Sequence, residues 1–140
     1  MIRKIIKSFI CFVLVLLIAN CASIVGSREE TVTFTTNIEK ANLKIRNAHN
    51  MLIYDGYAPV SLSLKKKESY FNGETYSIEV SKKGYDSVEM LLDTRLSAWY
   101  VLGNLIFGGL IGYLIVDPAT GAMWTFEKEN MFLNLTKIEQ

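Results

Sequence analysis

The sequence predicts a mainly β protein, a small antiparallel β-sandwich carrying one glycine-rich apolar helix. Three observations predict it. Between residues 31 and 92, apolar and polar residues alternate in six short runs separated by turn-forming residues, the pattern of half-buried strands. Residues 99–116 are an uncharged apolar stretch of eighteen without alternation. A separate apolar run near the amino end stops at Cys21, so the folded part begins after it.

Arg3, Lys4 and Lys7 precede an apolar core from Phe9 to Ala19. A positive start, a short apolar core and a small-residue processing site define a secretory signal peptide. As a helix this core spans about 16 Å, whereas a bilayer needs roughly 20 apolar residues. That length argues against the other reading, an uncleaved anchor with an incidental cysteine. The stretch Leu17-Ile18-Ala19-Asn20-Cys21 resembles a bacterial lipoprotein signal, with Asn20 where Gly, Ala or Ser is usual. The resemblance implies cleavage after residue 20, a diacylglyceryl group on the Cys21 thiol and an acyl chain on its new amino group. With Ala22 in place of Asp, it also implies sorting to the outer membrane, facing the periplasm.

Of the 15 Lys and Arg residues, three leave with the signal, so 12 face 14 acids in the mature chain. No basic field remains to recruit nucleic acid. The two cysteines are Cys11, discarded, and Cys21, lipidated in this reading, which leaves no disulfide or thiolate chemistry.

Residues 22–30 read as a mostly polar tether. Val32 and Phe34 then alternate with threonines in a first strand, whose β-branched residues suit a pleated surface. Leu43 and Ile45 alternate with Asn42, Lys44 and Arg46 in a second. Asn47-Ala48-His49-Asn50 is a turn, and residues 52–54 return as a third strand. Asp55-Gly56-Tyr57-Ala58-Pro59 is the next expected turn, followed by Val60, Leu62 and Leu64 alternating with serines. Residues 65–68 read as a solvated charged loop, or as a contact for anionic headgroups or sugar polymers. Tyr76, Ile78 and Val80 form a fifth strand. Gly84, free to take positive φ, turns the chain into a sixth strand with Val88, Met90 and Leu92.

This segment, about 31–94, resembles a PEGA domain, a small sandwich of bacterial envelope proteins. Of that family's Pro-Glu-Gly-Ala motif, Glu39 and Ala41 are present here. Ala58-Pro59-Val60 matches its Thr-Pro-hydrophobic step, and Lys83-Gly84-Tyr85 its Gly-Tyr turn. The motif is structural, so the resemblance implies a fold and no catalytic residues.

In the stretch 99–116, Asn104 is the only strongly polar side chain. As one helix it spans about 27 Å, close to bilayer thickness. Asn104, Gly108 and Gly112 lie four apart on one stripe, as in small-xxx-small packing between helices in lipid. Three readings stay open: a segment inserted in or lying on a membrane and packing against copies of itself; a helix or hairpin buried against the sandwich; a helix docked on another protein. Asp117-Pro118-Ala119-Thr120-Gly121 is expected to end the helix, because Pro cannot continue one. Met123, Trp124 and Phe126 are expected at a membrane interface if the segment inserts, and residues 122–126 and 131–136 are expected to be strands returning to the sandwich. Trp99, Gly103-Asn104, Phe107-Gly108-Gly109, Asp117 and Thr120-Gly121-Ala122 resemble the end of a family of short envelope lipoproteins.

The expected organisation is therefore a signal peptide over 1–20, a lipidated tether over 21–30, a PEGA-like sandwich over 31–95, the apolar segment over 96–118 and C-terminal strands over 119–140. His49, the single histidine, sits in a turn with no partner pattern. Metal-ligand spacings and phosphate loops are absent from the sequence. No metal, no cofactor beyond the covalent lipid and no catalysis are expected. The functional expectation is a non-catalytic outer-membrane lipoprotein, an envelope structural or assembly component. Its sandwich would present a binding face, and its helix would contact the membrane, a second copy or another envelope protein. The alternative is a module that binds peptidoglycan or another polysaccharide.

Overall fold

A computed structural model describes residues 28–105 and 109–139. The expected signal peptide, Cys21 and Gly108 lie outside the described residues. The fold is mainly β. Its strands are β1 (Glu29–Thr36), β2 (Ala41–Asn47), β3 (Leu52–Ala58), β4 (Val60–Lys65), β5 (Lys67–Ser69), β6 (Asn72–Gly73), β7 (Tyr76–Ser81), β8 (Val88–Leu92), β9 (Thr94–Leu96), β10 (Trp124–Phe126) and β11 (Asn130–Leu133).

Two sheets share one core. The first has the order β11-β1-β4 and the second β3-β2-β7-β8, while β5-β6 and β9-β10 are small ribbons. Every pairing is antiparallel except β1 with β11, where Phe34 lies beside Met131. Strand side chains alternate with a period of two, so each predicted apolar set falls on one face. Val32 and Phe34 of β1, Leu43 and Ile45 of β2, and Ile78 and Val80 of β7 are all fully buried in a single cluster. Leu133 and Leu135 close it from the C-terminal side.

Three local expectations change. Residues 55–57 are not a turn: β3 runs through them to Ala58 and passes into β4 across Pro59, where the chain changes sheet. Pro59 has no N–H to donate, so the ladder breaks there. Gly56 is glycine because the Tyr54 ring lies over it; a Cβ at 56 would sit 2.3 Å from the Tyr54 hydroxyl. Second, residues 65–68 are a junction between strands and not all solvated: Lys65 and Glu68 are exposed, but Lys66 is not. Lys66 is buried, with its ammonium 3.7 Å from the Glu30 carboxylate, and that carboxylate also accepts from the Thr125 hydroxyl at 3.0 Å. A buried ammonium is tolerable only with such a partner. Third, Met123 and Phe126, expected at an interface, are core residues, and Trp124 is half-buried beside Gly73. They belong to the strand return that the sequence also indicated. Gly84, at φ +86°, turns the chain as expected.

Replacing Phe34 by Ala removes a fully buried ring at the centre of the first sheet, and we expect a loss of about 3–5 kcal/mol in urea unfolding. A second expectation concerns Tyr76, whose hydroxyl donates to the Lys65 carbonyl at 3.0 Å. Burial first, and the Glu74 carboxylate second, push its pKa from 10.0 up to about 12. The folded chain thus keeps a proton that the unfolded chain has lost in this window. Stability present below pH 10 should decline as the pH rises towards about 12. Tyr76→Phe should make that decline shallower when urea midpoints are measured across the same range.

Candidate membrane-contact site

The apolar segment is helical but not one rod. Helix α1 (Ala98–Gly103) starts at Ser97, whose hydroxyl accepts from the Trp99 N–H at 3.2 Å, a conventional N-cap. After residues 106–108, α2 (Gly109–Ile111) opens a second arm, continued by a π-helical stretch (Gly112–Val116) and α3 (Asp117–Thr120). In a straight helix Tyr100 and Tyr113 would stand about 20 Å apart. Their ring centroids lie 5.2 Å apart, edge to face, and the Tyr100 hydroxyl donates to the Tyr113 carbonyl at 3.1 Å. The chain folds back on itself as a helical hairpin. Gly109, at φ +51°, opens the return arm in a backbone conformation that glycine adopts without steric cost.

Asn104 closes the hairpin. Its amide donates to the Tyr100 carbonyl at 3.1 Å and to the Asp117 carboxylate, and the residue is buried. Gly112 lies against it: a Cβ there would sit 2.1 Å from the Asn104 Oδ1. Asn104 and Gly112 of the predicted stripe therefore do pack together, across the two arms of one chain. The hairpin does not end at Pro118, because Pro stands in the first turn of α3, where a missing N–H costs nothing. Gly121, at φ +82°, ends it. Burial, the Asp117 carboxylate and Tyr113 raise the pKa of Tyr100, in keeping with a phenol held inside the hairpin.

With its polar groups turned inward, the hairpin faces outward with aliphatic side chains. Trp99, Leu102, Leu114 and Ile115 are more than half exposed, and Leu105 and Leu110 near the tip are 74% and 76% exposed. The expectation of burial against the sandwich is not met for these side chains. The sandwich holds the hairpin through backbone atoms instead. The Tyr70 hydroxyl donates to the Leu114 and Ile115 carbonyls at 3.0 and 3.3 Å, and the Lys67 ammonium to the Ala119 carbonyl at 2.8 Å. Tyr70 and Phe71, an exposed edge-to-face pair at 4.9 Å in the β5–β6 turn, continue the apolar surface onto the sandwich. Strand reading alone passed over them. Two adjacent aromatics before Asn72-Gly73, in a turn that has no core to fill, are the signal that marks them.

The remaining candidates lie elsewhere. His49 is exposed, with its Nε2 3.1 Å from a Glu68 carboxylate oxygen. Among the described residues no group of three or more His, Cys, Asp and Glu is placed to hold a metal ion, and no helix is long and apolar enough to cross a membrane. An open cleft of about 430 Å³, lined in part by Thr36, Lys40 and Pro59, lies at the opposite end of β1 from the hairpin. Comparison of the chain with family models, curated proteins and solved structures finds no match.

Glycine to alanine in a helix ordinarily gains about 1 kcal/mol. Gly112→Ala should do the reverse, because Asn104 is fixed by two hydrogen bonds and cannot swing aside. Amide hydrogen exchange should accelerate over residues 98–105 and 109–120 while the β2 and β7 amides keep their protection. Asn104→Ala should loosen the same residues.

Proposed function

We propose that this chain is a non-catalytic outer-membrane lipoprotein, a structural or assembly component of the envelope. In this reading lipid on Cys21 holds it at the periplasmic face, the PEGA-like sandwich presents a binding face, and the apolar hairpin touches the membrane. The exposed hairpin is the observation that carries the reading. Contiguous apolar surface of this kind marks a protein or membrane contact. Residues 99–116 contain no charged side chain, and the one strongly polar side chain, Asn104, is satisfied within the hairpin. Lipid asks for that arrangement, since a polar group unsatisfied in hydrocarbon costs several kcal/mol. The lipoprotein-like signal supports the same compartment independently of the hairpin.

The test replaces the anchor. Wild-type protein should incorporate labelled palmitate in cells, and Cys21→Ser should not. When Cys21→Ser is exported behind an ordinary cleavable signal, part of it should resist alkaline extraction from membranes. Adding Leu105→Asp and Leu110→Asp should abolish that residue. Complete release of Cys21→Ser as a folded, soluble monomer would remove membrane contact from the reading. Specific retention of the released protein on purified cell wall would replace it with the polysaccharide-binding role.

A further inference from the structure

We propose that the outer face of the second sheet carries, around Arg46, a binding site for a phosphate group, and that the phosphate it takes is one borne by a lipid headgroup. The site itself does not involve the hairpin. Only the source of the phosphate rests on the envelope-lipoprotein reading.

Register places the cation. Ile45, Ile78 and Leu92 face the core, and side chains alternate along a strand, so Arg46, Ser77 and Leu91 face outward. Pairing sets them in one row: Arg46 lies beside Leu52 of β3 and Ser77 of β7, and Ser77 beside Leu91 of β8. That row holds no acid. Lys44, the other β2 cation on this face, lies between Asp55 and Glu79, with Glu89 next to Glu79. The charge of Lys44 is thus balanced within its row, and that of Arg46 is not. Arg46 is half-buried, and its guanidinium has no ion pair or hydrogen bond among the described residues. Five N–H donors are left to be satisfied there, and a polar group leaves water at a cost unless something bonds to it.

The surroundings choose the ligand. An open cleft of about 420 Å³ is lined by Arg46 together with Asn47, Asn50, Thr75, Ser77 and Leu91. The Asn47 Oδ1 already accepts from the His49 and Met51 N–H groups at 3.1 and 2.9 Å, which leaves its Nδ2 as a donor. The side chains of Asn50, Thr75 and Ser77 bond to no described residue. Guanidinium, amide and hydroxyl donors around one opening fit a group that only accepts, and Arg holds phosphate through paired N–H donors. The margin of the cleft points to an amphiphile rather than a free anion. Leu52 and Leu91, at the two ends of the Arg46 row, are 49% and 65% exposed, and Met51 and Ile53 stand exposed beside Leu52. Position agrees with this. The Ala48 N–H donates to the Glu74 carboxylate at 3.2 Å, the Glu74 N–H to the Lys66 carbonyl at 3.0 Å, and the Lys66 N–H to the Arg28 carbonyl at 3.1 Å. The turn beside Arg46 therefore stands at the end from which the tether leaves. Cys21 is seven residues before Arg28, a reach of at most about 25 Å when fully extended, so lipid on Cys21 would keep this end among headgroups.

Titration of the full chain, as purified from cells into maltoside micelles, tests the proposal through its backbone amide shifts. Dioctanoyl phosphatidylglycerol supplies phosphate and acyl chains together, inorganic phosphate the anion alone, and dioctanoylglycerol the chains alone. Phosphatidylglycerol should shift the amides of Arg46, Asn50, Ser77 and Leu91 together. Inorganic phosphate should shift the same amides with roughly tenfold weaker affinity, and dioctanoylglycerol should leave Arg46 and Ser77 unmoved. Arg46→Gln should weaken phosphatidylglycerol binding roughly tenfold or more, the loss of a charged hydrogen bond, while the Ile45 and Ile78 amides keep their positions and so report an intact fold. Arg46→Lys, which keeps the charge without the fork, should fall between. Leu52→Ser with Leu91→Ser should weaken binding of phosphatidylglycerol and spare that of inorganic phosphate. Equal affinity for the two phosphates would overturn the lipid as the source and keep the anion site. Equal shifts with dioctanoylglycerol, no shifts with either phosphate, or undiminished binding by Arg46→Gln would overturn the site. Hairpin contact is read by alkaline extraction and acylation by palmitate label, so failure of the lipoprotein reading is told apart from failure of this one.

Discussion

The placement of the hairpin depends on a buried ion pair. Lys66 stands where β4 hands over to the β5–β6 ribbon, and its ammonium is inside the protein with the Glu30 carboxylate 3.7 Å away. Glu30 is also held by Thr125 on β10, and the Arg28 carbonyl takes the Lys66 N–H. Four segments are thus tied at one point: the tether, β1, the β4–β5 junction and the strand that leaves the hairpin. A buried pair of this kind contributes little net stability against a well-packed apolar replacement, while loss of one partner strands a charge. Its effect here is positional. It sets Lys67 beside Ala119 and so fixes the base of the hairpin against the same end of the sandwich from which the tether leaves.

Half of the chain's residues are apolar, and the fold treats them in two ways. In the strands they occur at every second position, so one face of each sheet is apolar and the two faces can be pressed together. Val32, Phe34, Leu43, Ile45, Ile78 and Val80 disappear from solvent by that route. In residues 99–116 there is no polar position to alternate with, and neither a strand nor a single helix could hide all of those side chains against a sandwich of this size. Folding the segment back lets Asn104, Tyr100 and Tyr113 face inward, which turns Leu102, Leu105, Leu110 and Leu114 outward. Burial of apolar surface is worth about 25 cal/mol per Å², so an aqueous environment for these side chains forgoes a substantial gain that a lipid leaflet would supply.

The strands were legible because period-two alternation is a local property. Val32 and Phe34, or Tyr76, Ile78 and Val80, announce a strand without reference to anything distant, and their burial follows. What could not be read locally depended on partners far along the chain. Lys66 reads as a surface lysine until Glu30, some thirty-six residues earlier, is known to stand beside it. Residues 55–57 read as a turn because glycine beside aspartate usually makes one, whereas Gly56 in fact makes room for the Tyr54 ring. The parallel pairing of β1 with β11 joins residues nearly a hundred positions apart, and no local signal encodes it. In the candidate site, the four-residue spacing correctly put Asn104 and Gly112 in contact. The same spacing on a straight helix pointed to a neighbouring helix, and only the packing of the two arms against each other, Tyr100 on Tyr113, makes the second arm that neighbour.

On the proposed lipoprotein reading, the folding-back of the segment bears on how it could reach an outer membrane. A chain sorted there must first pass the inner membrane, where an uninterrupted run of roughly 20 apolar residues tends to be retained as a span. Residues 99–116 approach that length, but Gly103, Asn104, Gly108, Gly109 and Gly112 interrupt them, and each glycine weakens a single continuous helix by about 1 kcal/mol. The same residues favour the hairpin, since Gly112 admits Asn104 and Gly109 takes a positive φ where the second arm begins. One composition therefore disfavours a single continuous span and favours the hairpin. In the proposed lipoprotein, a second membrane contact made by the hairpin would have a use. Lipid chains hold a protein to a surface but leave it free to swivel on its tether, whereas a second contact at the base of the fold fixes which face of the sandwich meets the membrane and which faces away.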